Sequence, residues 1–172
     1  MNLQSDDFDL FGLSRCFAQD RAALDAAWKA LQRQAHPDKF AAEGAAAQRL
    51  AMQWSVRINE AYQRLKDPIR RAAYLCELAG FPIAAHQNTA MPAAFLMQQM
   101  EWHEALDEAE SAEALETLSE QVRAQQAELL AACAQHIDVT HDYPAAVSTV
   151  RALMFVDKFG QDVMARQHAL DA

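Results

Sequence analysis

Glycine is scarce in this chain: four residues in 172, Gly12, Gly44, Gly80 and Gly160, none near another. A phosphate cradle needs closely spaced glycines so that backbone N–H groups can approach the ligand, and such loops are therefore excluded. The three cysteines, Cys16, Cys76 and Cys133, are odd in number and widely spaced. That pattern fits reduced thiols better than a disulfide framework. No C-x-x-C pair suggests a structural zinc site, and neither H-E-x-x-H nor a nucleophile elbow occurs. No apolar run is long enough to span a bilayer. The amino terminus carries Asp6, Asp7 and Asp9 where a secretory signal would be basic and then apolar. The expectations are a reduced, cytoplasmic setting and a protein that is not an enzyme.

Basic residues are scarce as well, but only in one half. Residues 1–80 hold eleven Lys/Arg against ten Asp/Glu, and residues 81–172 hold four against fourteen. Such asymmetry suggests two units with different partners. An acidic chain lacking a dense basic stripe repels phosphate, which argues against nucleic acid as a partner. The length suffices for one large domain or two small ones with a real core.

Strand-like alternation is absent and helical periodicity runs throughout, so an all-α fold is expected. Asp20 is a good N-cap for a helix reaching Ala35, with Leu24, Trp28, Leu31 and Ala35 on one stripe and Asp25, Lys29 and Arg33 on another. A second long helix, with Leu50, Trp54, Ile58, Ala61 and Leu65 in register, runs to Lys66. Asp67-Pro68 then reads as an N-cap and first helical residue, and Gly80 as the stop of a short helix from Ile69 to Leu78. Two long helices packed antiparallel around these stripes follow. Between them stands His36-Pro37-Asp38, followed by Lys39 and Phe40. Pro37 disfavours the α region at His36 and fixes its own φ, so a rigid, exposed turn is expected at the tip. A plain turn in which Asp38 caps the next segment is the simpler alternative. Lys29 and Arg33 have their own alternative, a solvated face with Asp25 as an i,i+4 partner.

Residues from Phe81 to Pro92, including His86, Gln87, Asn88 and Thr89, lack periodicity and read as a linker. Three helical stretches follow, over about 92–109, 112–137 and 143–168, with the second N-capped by Ser111. Leu115, Leu118, Val122 and Leu129 give that second helix a heptad-like seam. Turning about 100° per residue from Phe95 places Gln99, Trp102, Leu106 and Ala109 on the same core-facing stripe. Leu96, Met97 and Met100 fall about 100–200° away, on the side that Glu101, Glu104 and Glu108 also occupy. On the third helix Val147, Val150, Leu153 and Met154 form the expected inner stripe, and Phe155 points elsewhere. Several large apolar residues left unburied together mark a partner surface, although geometry alone also allows them to pack elsewhere on the protein. Two metal readings are incomplete. Cys133 and His136 make half a site, and the three glutamates lack the Glu-x-x-His partners of a bundle metal centre.

His36-Pro37-Asp38 between two such helices, with Ile58-Asn59-Glu60-Ala61-Tyr62 and Leu65-Lys66-Asp67-Pro68, resembles a J-domain. Phe8-Asp9-Leu10-Phe11-Gly12-Leu13 and Leu31-Gln32-Arg33-Gln34 resemble those of one subfamily, the HscB co-chaperones of bacterial iron–sulfur cluster assembly. The likeness continues through Phe95-Leu96-Met97, Glu104-Ala105-Leu106-Asp107-Glu108 and the stretch from Val150 to Lys158. One departure is Ala35, where J-domains commonly carry an aromatic residue. The resemblance implies a J-domain over 1–80, a linker over 81–91 and a scaffold-binding three-helix bundle over 92–172. It implies two partners: a DnaK-type ATPase chaperone (HscA-like) and an iron–sulfur scaffold protein (IscU-like). The first would be met by Lys29, Arg33, His36, Pro37, Asp38 and Lys39. The second would be met by Leu96, Met97, Met100, Glu101, Glu104, Glu108 and Phe155. No cofactor, metal, nucleic acid or membrane is implied. A general J-domain co-chaperone for unfolded clients is the alternative within the same class, and a helical metal-binding protein is the one outside it.

Overall fold

A computed structural model describes residues 2–84 and 91–172, and all the regular structure among them is helical. The expected linker falls mostly on residues 85–90, His86, Gln87, Asn88 and Thr89 among them, which lie outside the described residues. The chain divides into two compact units, Met1–Leu75 and Cys76–Ala172. The division falls inside a helix, a few residues before Gly80.

In the first unit α1 (Asp7–Phe11) precedes a hairpin of α2 (Arg21–Ala35) and α3 (Ala45–Lys66), and α4 (Pro68–Leu78) begins there. Asp20 caps α2, accepting from the Ala22 N–H at 3.0 Å. Asp67 caps α4, accepting from the Ile69 N–H at 2.9 Å. Cross-helix pairs descend in step, which shows that α2 and α3 run antiparallel. The Tyr62 hydroxyl donates to Asp25 Oδ1 at 2.6 Å, Trp28 Nε1 donates to Asn59 Oδ1 at 3.0 Å, and Ser55 Oγ donates to Gln32 Oε1 at 3.0 Å. Leu24, Ile58, Ala61 and Leu65 fill the space between the helices. Leu50 does not join them: it is 49 % exposed. Ala51, seven residues before Ile58, takes the inward position, and Leu50 lies about 100° round the helix from it.

Two charged residues are buried here, Asp7 and Arg71, the latter donating to the Phe17 and Leu65 carbonyls at 2.7 and 2.6 Å. Asp7, in the first turn of α1, is fully enclosed and pairs with Arg57 at 2.7 Å and Arg64 at 3.1 Å. The two guanidiniums offset the desolvation of the carboxylate, which fixes α1 against α3. Phe8 stacks on Tyr74 beside them, with ring centroids 5.9 Å apart.

The second unit contains α5 (Ala93–Glu108), α6 (Ala112–Ala134) and α7 (Tyr143–Asp171). Trp102 and Leu106 from α5, Leu115, Leu118 and Val122 from α6, and Val156, Phe159 and Val163 from α7 form one core cluster, with Phe95 and Leu129 partly buried against it. Gly160 sits where α7 crosses α6, and a Cβ there would meet Val122 Cγ1 at 3.1 Å. The helix expected over 112–137 ends in a π-helical turn, Gln135–Val139, before Asp142 caps α7. Met154 departs from the expected inner stripe and is 37 % exposed. The buried positions of α7 advance through Val150, Leu153, Val156 and Phe159, a spacing tighter than 3.6 residues, so the stripe slides round the helix away from Met154.

Candidate functional site

The first site is the tip of the hairpin. After α2 ends at Ala35, His36 has φ −62° and ψ 127°, an extended residue as its neighbour Pro37 requires. Pro37–Glu43 then forms a 3-10 segment. His36 Nδ1 accepts a hydrogen bond from the Asp38 N–H at 3.2 Å, so the cap is the histidine and not Asp38. A neutral imidazole accepting at Nδ1 carries its proton on Nε2. Its side chain is 57 % exposed and that of Asp38 91 %. Neither carries a packing duty; the imidazole braces the turn from within and leaves most of its surface open.

Lys29, Arg33 and Lys39 are exposed beside this turn and make no ion pair among the described residues. Asp25, the i,i+4 candidate for Lys29, is engaged elsewhere. The Tyr62 hydroxyl and the Arg21 guanidinium both donate to it and hold its carboxyl below the usual range, Tyr62 foremost. Arg33 reaches back to the Lys29 carbonyl at 3.3 Å. Gln32, on the same helix, donates to Asn59 Oδ1 at 2.7 Å. It also lines a shallow hollow with Arg33, His36 and Lys39. This amide clasp holds the basic face of α2 to α3, and the sequence offered no sign of it beyond Gln32 and Asn59 falling on facing helices.

The second site lies on α5 and α7. Gln99, Trp102, Leu106 and Ala109 are buried as the helical projection expects. Leu96, Met97 and Met100 are 47 %, 62 % and 65 % exposed, and Phe155 is 48 % exposed. Glu101, Glu104 and Glu108 are exposed along the same helix. Phe155 meets Phe95 edge to face, with centroids 6.2 Å apart, which brings α7 beside the first turn of α5. The outcome is an apolar surface edged by carboxylates. Met154, next to Phe155 in the chain, is 37 % exposed as well. His103 is exposed on α5 and packs edge-on against Phe159 at 5.0 Å.

Among the described residues no group of three or more His, Cys, Asp or Glu could hold a metal ion. Burial pushes the Cys133 thiol up to about 12. No described helix is long and apolar enough to cross a membrane.

These two surfaces belong to a chain with extensive relatives. Residues 91–164 match the family model described as the HSCB C-terminal oligomerisation domain. The chain is 46% identical to the co-chaperone protein HscB homolog of Burkholderia multivorans, over 99% of both chains. It is 48% identical to that of Bordetella petrii, over 95% of this chain and 97% of the relative. Among solved structures it resembles the chaperone HscB from Vibrio cholerae, with a TM-score of 0.85, 34% identity and coverage of 96% of this chain and 99% of the other. It likewise resembles the human co-chaperone protein HscB, with a TM-score of 0.93, 27% identity and coverage of 99% and 86%. An N-terminal helical hairpin with its His-Pro-Asp turn, a C-terminal three-helix bundle and full-length identity of this order agree, and the chain belongs to the HscB family of J-domain co-chaperones.

Proposed function

We propose that this protein stimulates the ATPase of a DnaK-type chaperone (HscA-like) and delivers to it an iron–sulfur scaffold protein (IscU-like), in support of iron–sulfur cluster assembly. In this reading it works in the cytoplasm and catalyses no reaction itself. The observation that carries it is the exposed, braced His36-Pro37-Asp38 turn at the tip of a hairpin whose adjacent cations are unpaired among the described residues. A preformed turn presents its polar groups without paying ordering entropy on docking. Lys29, Arg33 and Lys39 steer the encounter with an acidic surface. His36 and Asp38 then alter hydrogen bonding in the ATPase.

The scaffold is assigned to Leu96, Met97, Met100 and Phe155, which supply desolvated contact area, and to Glu101, Glu104 and Glu108, which set orientation and charge preference. Residues 1–80 are assigned to the chaperone and residues 92–172 to the scaffold. The test is single-turnover ATP hydrolysis by the chaperone with Asp38→Asn or His36→Gln. Each variant should abolish stimulation and leave the helical signal and scaffold binding unchanged. Wild-type stimulation by either would remove the turn from the mechanism. Stimulation by a broad range of unfolded clients in place of the scaffold would favour a general co-chaperone.

A further inference from the structure

A second concavity adjoins the His36–Lys39 turn. It is a groove of about 310 Å³ between the 3-10 segment and α3, walled by Ala35, Phe40, Leu50 and Trp54, with Gln34 and Glu43 as its polar members. A cavity of about 150 Å³ accepts a benzene ring, so this groove has room for more than one apolar side chain. Leu50, which the hairpin core leaves out, stands half exposed in its wall.

Chain connectivity ties the groove to the docking turn. Ala35 immediately precedes His36 and Phe40 immediately follows Lys39, so its wall begins one residue from the turn on either side. A protein docked on the turn would therefore lie beside the groove. A second copy of this chain fits poorly, because a symmetric contact here would oppose the Arg33 and Lys39 cations of one copy to those of the other. The surface that matches the turn is acidic, and the groove beside it asks for apolar side chains.

We propose that this groove receives apolar side chains of the same DnaK-type chaperone, as an anchor next to the electrostatic contact. The proposal rests on the function given above. It divides the work of the hairpin tip: the turn sets the maximal stimulation, and the groove sets how tightly the chaperone is held.

The experiment titrates the full-length chain into the DnaK-type chaperone purified from the same organism, reading ATPase stimulation. Leu50→Asp places a charge in the groove wall without touching the turn. It should raise the half-maximal concentration about tenfold or more, as loss of an apolar anchor does, with maximal stimulation unchanged. Leu50→Met should behave as wild type. A benzophenone side chain placed at Glu43 in an otherwise unaltered chain should cross-link to the chaperone, and this arm holds even if Leu50→Asp melts early. A folded Leu50→Asp with the wild-type half-maximal concentration overturns the groove and leaves the function standing. Cross-linking only between copies of this chain, or a sedimentation change in Leu50→Asp, reassigns the groove to self-association and overturns the proposal. Failure of the wild-type chain to stimulate at all would instead overturn the underlying function.

Discussion

Substituting the two faces of α5 separately distinguishes a binding surface from a core. Trp102 and Leu106 are 6 % and 8 % exposed, whereas Leu96, Met100 and Phe155 are 47 %, 65 % and 48 % exposed. Full burial of a large apolar side chain is worth about 1.5–3 kcal/mol, so a residue that stays half exposed contributes about 1 kcal/mol to folding. Phe155 adds an edge-to-face contact with Phe95, worth about 0.5–1.5 kcal/mol. Each outward residue changed to Ala should therefore cost about 1–2 kcal/mol of stability at most. Trp102→Ala opens a cavity against Phe159, its stacked neighbour at 5.2 Å, and should cost about 3–5 kcal/mol. Leu106→Ala should cost about 2–5 kcal/mol. Binding should show the reverse order, because truncated interface anchors each lose about 1–4 kcal/mol of affinity for the scaffold. The assay pairs a urea melt of each variant with a scaffold titration by calorimetry. Leu96→Ala and Met100→Ala that melt early yet bind normally would refute the assignment of the faces.

Three further outcomes are expected. Reversing Lys29 and Arg33 to Glu should slow chaperone association at low salt and flatten its ionic-strength dependence, and an unchanged stopped-flow rate would remove them from docking. Asp7→Ala leaves Arg57 and Arg64 uncompensated and should cost about 3 kcal/mol, the low end for a broken buried pair because both guanidiniums reach solvent; a melt within experimental error of wild type would show the pairs to be incidental. Burial raises the Cys76 thiol to about 11 and the Cys133 thiol to about 12, from 9.0 when unfolded. As pH climbs past 9 the unfolded chain loses these protons first, so stability present below that pH should decline through about 11 and 12, and a Cys76→Ala, Cys133→Ala chain should show a shallower decline in alkaline urea melts.

What could be read from the sequence was whatever repeats along a helix or is fixed by a neighbour. Asp20, Asp67 and Ser111 cap where their spacing says, and the Phe95 projection separates Trp102 from Met100 correctly. What could not be read arises from shorter or longer range. α1 has five residues, too few for a period to show. The 3-10 segment Pro37–Glu43 has Phe40 as its one large apolar residue and so no apolar stripe, and its shape comes from the His36 cap and Pro37. The π-helical turn at Gln135–Val139 continues the composition of α6 and so hides its extra residue. Met154 and Leu50 fail for one shared reason. Each lies at the edge of a buried stripe, where a rotation of part of a turn decides between core and solvent. Asp7 is invisible because its partners Arg57 and Arg64 lie fifty or more residues away.

The two candidate surfaces carry opposite charge, and that opposition constrains their use. A partner that complements Lys29, Arg33 and Lys39 must be acidic, and the same partner would be repelled by Glu101, Glu104 and Glu108. A partner that suits the glutamates must be basic, and the hairpin tip repels it. If the two surfaces are used as proposed, each would reject the other's ligand as well as accept its own, which is how specificity is obtained from modest contacts. Under the proposed function, linkage in one chain would add to this, since joining two binding modules raises the effective concentration of one partner at the other. In the proposed function, the charge asymmetry between the two halves, near neutral against strongly acidic, is what would keep the two partners apart in kind.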